Sequence, residues 1–259
     1  MADMQGRIVV VTGGASGIGA ACAELLAREG CRVVVADMNL GPAREVARRI
    51  GGVAWRIDVA DDDSVQQAAQ DIEQQVGPVH GLVNSAGIIQ QPLEPFQLGM
   101  EAFDKVQAVD FRGSYIACLA FARGMLARKQ GSIVNISSVA GSRSMPLHSY
   151  SPAKAAVISM TQCLAAEWGR SGIRVNSVAP GYTLTPALEA AIARKERQVD
   201  GAIGNSPLPR LVRPEEIANG VSFLLSERAS AITGVDLPVD CGWLVGTTWD
   251  MYGGLRRPA

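Results

Sequence analysis

RIVVVTGGASGIGAACAELLAREGCRVVVAD, residues 7–37, is the stretch that decides the fold. RIVVVT is a β-branched run without polar alternation, as a strand buried on both faces should read. It leads into Gly13-Gly14-Ala15-Ser16-Gly17-Ile18-Gly19 and then into an amphipathic helix closed by Gly30. CRVVVAD follows as a second strand ending in Asp37. Glycines between a strand and a helix N-terminus let the backbone approach a pyrophosphate, and the free N–H groups and helix dipole stabilise its charge. An acid closing the second strand of such a unit accepts hydrogen bonds from the adenosine ribose and repels a 2′-phosphate, so NAD is expected over NADP.

The alternation continues outward from there. Helix GPAREVARRI, strand VAWRID to Asp58, helix DDDSVQQAAQDIEQQV with an aspartate-rich cap, and strand PVHGLVNSAG follow in order. A helical stretch from about Met100 to Arg128 precedes strand SIVNIS. A helix beginning near Tyr150, strand IRVNSVAPG, helix RPEEIANGVSFLLS and strand GVDLPVD complete the pattern. Alternating β and α with short connections predicts an α/β, single-domain Rossmann-like doubly wound parallel sheet of about seven strands with helices on both faces. Ligands in such sheets lie beyond the carboxyl ends of the strands, where Thr12, Asp37, Asp58, Asn84, Ser138 and Pro180 all fall. Residues 185–210 break the alternation and are expected to form a substrate lid, with a passive surface excursion as the alternative. Residues 241–259 hold Trp243, Trp249 and Tyr252 close together, a tail expected to pack on the body or on a second subunit.

Composition narrows the functional class. Of 259 residues, 47% are hydrophobic and 19% charged, enough for a large core, and the formal charge of −1 comes without basic blocks. Nucleic acid and membrane are therefore not expected partners, and no apolar run approaches the ~18 residues of a membrane span. MADMQGRIVVVTGG carries an early acid and enters a strand at once, unlike a signal peptide. The cysteines, Cys22, Cys31, Cys118, Cys163 and Cys241, are scattered and odd in number. That pattern suits free thiols in a reducing cytoplasm, without a metal site.

The run SSVAGSRSMPLHSYSPAK carries the chemistry. Tyr150 and Lys154 stand four apart, on one face of a helix. An ammonium ~4 Å from a phenol, at an effective dielectric of about 20, favours phenolate by roughly 4 kcal/mol, enough to bring a phenol toward use as a base near neutrality. A serine hydroxyl nearby can hydrogen-bond the substrate oxygen whose proton the phenol exchanges. His148 is read as solvated more readily than as lining the site. Arg194, Lys195 and Arg197 are read as a solvated face more readily than as a grip on a phosphorylated carrier.

Taken together these motifs resemble the short-chain dehydrogenase/reductase family over nearly the whole chain. T-G-x-x-x-G-x-G appears as Thr12-Gly13 with Gly17 and Gly19, N-N-A-G as Asn84-Ser85-Ala86-Gly87, Y-x-x-x-K as Tyr150 and Lys154, and the P-G turn as Pro180-Gly181. The resemblance implies hydride transfer between a nicotinamide cofactor and a carbinol carbon. It assigns Tyr150 as acid/base, Lys154 to the nicotinamide ribose and Ser138 to the substrate oxygen. Cofactor contacts are implied for Gly13, Ser16, Gly17, Ile18, Gly19, Asp37, Asp58, Val59, Asn84, Ala86, Gly87, Pro180, Gly181, Thr183 and Thr185, besides Tyr150 and Lys154. Homotetramers are common in the family.

Three positions depart from its pattern. The interval from Ser138 to Tyr150 is one residue shorter than usual, which leaves Ser137 as the alternative serine. Ser85 replaces an asparagine. Asp110 stands where the family usually has a catalytic asparagine serving a proton path, so it joins the catalytic candidates, as a participant in proton exchange or as a structural acid. The expected reaction is reversible oxidation of a polyol, sugar-like or other small secondary alcohol. The alternatives are a 3-oxoacyl thioester reductase and an NAD-sensing protein that has lost turnover.

Overall fold

In the computed structural model, which describes residues 4–256, the chain alternates strand and helix from its first strand onward. The first half is β1 (Ile8–Thr12), α1 (Gly17–Arg28), β2 (Arg32–Asp37), α2 (Leu40–Ile50), β3 (Val53–Arg56), α3 (Asp62–Gln75) and β4 (Val79–Asn84). The middle is α4 (Met100–Val106), α5 (Gly113–Arg128), β5 (Gly131–Ile136), α6 (Tyr150–Trp168) and β6 (Ile173–Pro180). The last part is α7 (Pro186–Ala193), α8 (Asp200–Gly204), α9 (Pro214–Leu225), β7 (Asp236–Val239) and α10 (Trp243–Gly246). The first and last three residues, including the end of the expected tail, lie outside the described part.

All seven strands form one parallel sheet in the order β3-β2-β1-β4-β5-β6-β7. The order reverses between β1 and β4, which opens a crevice beyond their carboxyl ends. Strand periodicity divides the core in two. Val9, Val11, Val33 and Val35 pack with α1, α2 and α9 on one face, and Ile8, Val10, Val34 and Leu82 with α3, α5 and α6 on the other. The expected aspartate cap of α3 is present, because the Asp61 carboxylate accepts from the N–H groups of Asp63 and Ser64. The expected helix from Met100 to Arg128 is also present, but Gln107–Arg112 widens into a π-helical turn between α4 and α5. Such turns are uncommon and gather at functional sites.

Two close backbone approaches set the shape of the crevice. Gly13 has φ +63, and a Cβ there would lie 2.7 Å from the Ala86 backbone, so the loops after β1 and β4 touch without side chains between them. Thr12 seals the same junction, its Oγ1 accepting from the N–H groups of Ser85 at 3.2 Å and Ala86 at 3.4 Å. Gly13→Ala combines a left-handed backbone penalty with overpacking and is expected to cost about 3 kcal/mol. Urea denaturation of the cofactor-free protein measures it, and a loss under about 1 kcal/mol would mean the loops separate freely.

Candidate active site

A row of registered residues, Thr12, Asn84, Asn135, Ser177 and Asp236, crosses the sheet from the last residues of β1 and β4 to the first residue of β7. Asn84 Nδ2 donates to Asn135 Oδ1 at 2.9 Å, and Asn135 Nδ2 to Thr161 Oγ1 on α6 at 2.9 Å. Ser137 Oγ donates to Asp236 Oδ1 at 2.6 Å or to the Val178 carbonyl at 2.9 Å, which ties it to β6 and β7. Ser138, the next residue, turns away from that tie. Its Oγ accepts from the Ala140 N–H at 3.1 Å and begins the short turn Val139–Gly141. That turn packs on α6 so closely that a Cβ on Gly141 would lie 2.9 Å from the Lys154 carbonyl carbon. The alternation of a strand thus separates a structural serine from the candidate serine.

The glycine turn after β1 forms one wall. Gly17 has φ +52, and Thr185, which caps α7 by accepting from the Leu188 N–H, lies over it within 3.5 Å of where a Cβ would sit. Ser16 is exposed and its side chain does not cap α1, so the first N–H groups of that helix are left to other acceptors. Ile18 is partly buried in the first turn of α1, and Gly19 packs on the Gly13 carbonyl. At the end of β2, Asp37 accepts from the Ala15 N–H at 3.2 Å and the Asn39 N–H at 2.9 Å, so the acid is docked on the glycine turn. Asp58 and Val59 lie beyond β3. Asp58 Oδ1 accepts from the Ala60 N–H at 3.0 Å, and Val59 is buried against Gly113 at the start of α5. On the other side, Pro180 ends β6, Gly181 packs on the Asp240 backbone, and Thr183 Oγ1 donates to the Gly181 carbonyl at 3.0 Å.

Between these walls sit Tyr150, Lys154 and Asp110. Lys154 Nζ lies 5.4 Å from the centre of the Tyr150 ring and donates to the Ile136 carbonyl at the end of β5 at 3.0 Å. Asp110, on the π turn, is wholly buried, and its Oδ2 is 3.1 Å from Nζ. The two form a buried ion pair at hydrogen-bonding distance. Asp110 Oδ1 accepts from the Ile88 N–H at 2.8 Å. Gly87 covers the pair, for a Cβ there would lie 3.0 Å from Oδ2 and 3.5 Å from Nζ.

Residues that sequence reasoning passed over hold the start of α6. Gln90 Oε1 accepts from the Ser149 N–H and from the Tyr150 N–H at 3.1 Å, while Gln107 Nε2 donates to the Ser149 carbonyl at 2.8 Å. No spacing marks these glutamines in advance. Asn135 did carry a signal, an amide inside the otherwise apolar strand GSIVNI. His148 is exposed, and Arg194 pairs with Glu196 on the surface. Around residues 182–246, Tyr182 and Trp243 meet edge to face at 5.7 Å, whereas Trp249 and Tyr252 are exposed.

Residues 13–244 match the family model described as enoyl-(acyl carrier protein) reductase. A D-threitol dehydrogenase of Mycolicibacterium smegmatis is 35% identical over 254 residues, 93% of this chain and 94% of that protein. A cis-4-hydroxycyclohexanecarboxylate dehydrogenase of Sinomonas cyclohexanicum is 40% identical over 243 residues, covering 92% and 96%. Among solved structures, one described as ribose-5-phosphate isomerase from Brucella melitensis 16M superposes with a TM-score of 0.95 at 51% identity, covering 98% of each chain.

The buried pair binds its protons more tightly than the free groups do. Burial raises the Asp110 carboxyl above the ordinary carboxylate range, with the Lys154 charge and the Ile88 N–H only partly offsetting it. Burial alone would lower Lys154, but the Asp110 carboxylate and Tyr150 raise it above an ordinary lysine. Because both folded values are raised, both contributions to stability are fully present at low pH and are lost as pH rises through the folded values. Lys154→Met leaves Asp110 without its cation and is expected to cost about 3 kcal/mol at pH 8. The deficit should shrink on acidification as Asp110 takes a proton. Denaturation at several pH values checks this, and a deficit that grows toward acid contradicts it.

Proposed function

The chain belongs to the short-chain dehydrogenase/reductase family, and on that premise we propose that it is an NAD-dependent dehydrogenase moving hydride reversibly between a small secondary alcohol and its ketone. The observation that carries this reading is the Lys154 ammonium held against the Tyr150 ring at the same sheet edge as the glycine turn. Gly13 and Gly17, both at positive φ, with the uncapped N-terminus of α1, fit a pyrophosphate, and Asp37 beside them fits an unphosphorylated adenosine ribose. Ser16, Ile18, Gly19, Asp58, Val59, Asn84, Ala86, Gly87, Pro180, Gly181, Thr183 and Thr185 would complete the cofactor's surroundings. When bound, the nicotinamide supplies the hydride acceptor or donor.

The chain's own residues handle the proton and the substrate oxygen. Tyr150 takes the alcohol proton during oxidation and returns it during reduction, Lys154 stabilises negative charge on the phenol oxygen, and Ser138 donates a hydrogen bond to the substrate oxygen. Small polyols and ring alcohols are the leading substrates, in keeping with the threitol and hydroxycyclohexanecarboxylate dehydrogenases. The family-model description favours a second reading, reduction of an acyl chain carried as a thioester, which Asp37 opposes where that reaction draws on NADP. The isomerase description favours a third, an aldose–ketose proton shift in which a dinucleotide cradle has no part. Five free thiols fit a reducing cytoplasm. Phe96, Met100, Met251 and Tyr252, exposed on a single chain, fit a homotetramer that would cover apolar surface.

Assay of polyols, cyclic alcohols, β-hydroxy thioesters and ribose 5-phosphate with NAD and NADP separately tests these readings. NADH formation from a small alcohol, lowered at least ~100-fold by Tyr150→Phe with NADH binding retained, is the expected outcome. NADH binding without turnover on any alcohol would replace the enzyme by a sensor, and nucleotide-independent ketose formation would replace it by the isomerase. Asp37→Ser is expected to narrow the preference for NAD over NADP, read as the ratio of kcat/KM values.

A further inference from the structure

Asp110 is placed where a proton can be stored. It is fully buried, one oxygen accepts from the Ile88 N–H at 2.8 Å, and the other faces the Lys154 ammonium at 3.1 Å, the distance over which a proton can pass between them. Gly87 lies directly over that oxygen, where a Cβ would come within 3.0 Å of it, and so shuts it off from solvent. Among the described residues, the titratable groups facing it are Lys154 and, beyond it, Tyr150, both on α6. On its own helix, Arg112 turns outward to Asp62, and Cys118 meets Asn84 and Asn135 instead, its thiol pushed up to about 12 by burial.

Resting on the dehydrogenase reading, we propose that Asp110 takes up, through Lys154, the proton that Tyr150 receives from the alcohol, so that the protein holds this proton before solvent does. In the oxidising direction the phenolate oxygen forms an O–H bond as the alcohol O–H breaks. Lys154 passes an N–H proton to Asp110 Oδ2 and takes the phenol proton in its place, directly or across one water. The net change is one proton moved from substrate to carboxylate, with phenolate and ammonium restored. An amide at position 110 could accept a hydrogen bond but could not keep the proton. Asp110 therefore acts through Lys154 as a positioning residue with a storage role, and does not touch substrate.

Two measurements test this, one of them without cofactor or substrate. Infrared difference spectra of the cofactor-free wild type across pH should show a protonated carboxyl band persisting above the ordinary carboxylate range and absent from Asp110→Asn. In steady state, Asp110→Asn should lower kcat for alcohol oxidation about tenfold and remove the acid limb of its pH profile, with KM within about twofold. A superimposable pH profile, or no carboxyl band in the wild type, overturns the relay; the wild-type spectrum decides even if the variant folds poorly. A wild type that turns over normally alongside either result leaves the dehydrogenase reading standing and removes the relay alone. A wild type that oxidises no alcohol removes both.

Discussion

An ammonium buried in a sheet-edge crevice is the constraint around which this molecule is assembled. Lys154 is 4% exposed, and an uncompensated charge at that depth would cost several kcal/mol. Three separate parts of the chain answer it: the Ile136 carbonyl at the end of β5, the Asp110 carboxylate on the π turn, and the Tyr150 ring one turn earlier on α6. Each is effective only where it stands. The β5 carbonyl is available because the strand ends there, with Ser137 and Ser138 leading the chain away. Asp110 reaches Nζ from a helix whose pitch is locally widened, and the Ile88 N–H fixes its rotamer.

That convergence needs a firm floor, and the polar row across the sheet supplies it. In a sheet covered on both faces, asparagines and serines would ordinarily weaken the core. Here Asn84 and Asn135 bridge β4, β5 and α6 by side-chain hydrogen bonds, while Ser137 and Ser177 share Asp236 across β5, β6 and β7. These contacts set the height of α6 relative to the strands more sharply than apolar packing can, because hydrogen bonds weaken steeply with distance and angle. The same row explains why the Ser137 hydroxyl is held by β6 and β7 while that of Ser138 is not.

The architecture was open to sequence reasoning because its signals are local and repeated. Each strand is a short apolar run, each helix has its own period, and the glycine turn sits between the two element types that give it meaning. All seven strands and the helix from Tyr150 follow those signals. Tyr150 and Lys154 share a helix face, so their meeting follows from spacing alone. The π turn, the Gln90 and Gln107 braces and the Asp110–Lys154 pair do not. They depend on contacts between residues far apart in sequence, and a polar side chain at a loop or helix position gives no sign of which distant backbone group it will meet. Asp110 was conspicuous only as a departure from a family pattern, and its partner became visible only with the fold.

The side of the crevice opposite the glycine turn follows a different logic. The segment joining α8 to α9 is held to the C-terminal segment by the Leu208 N–H donating to the Cys241 carbonyl at 3.1 Å, and Gly242 and Gly246 leave room for Pro207. Asp240 anchors the same corner by accepting from the Gly242 and Leu244 N–H groups, each at 2.8 Å, and Tyr182 leans on Trp243. Among the described residues, only the short helices α8 and α10 lie within this corner. It is tied together by its own backbone and joined to the sheet at the ends of β6 and β7. Its shape can therefore change by substitution at 205–208 or 241–246 without disturbing Lys154 and its three partners, since the two groups of contacts share no side chain. The wall on this side of the crevice is thus separable from the Lys154 cluster, and its two segments must vary together because each packs on the other.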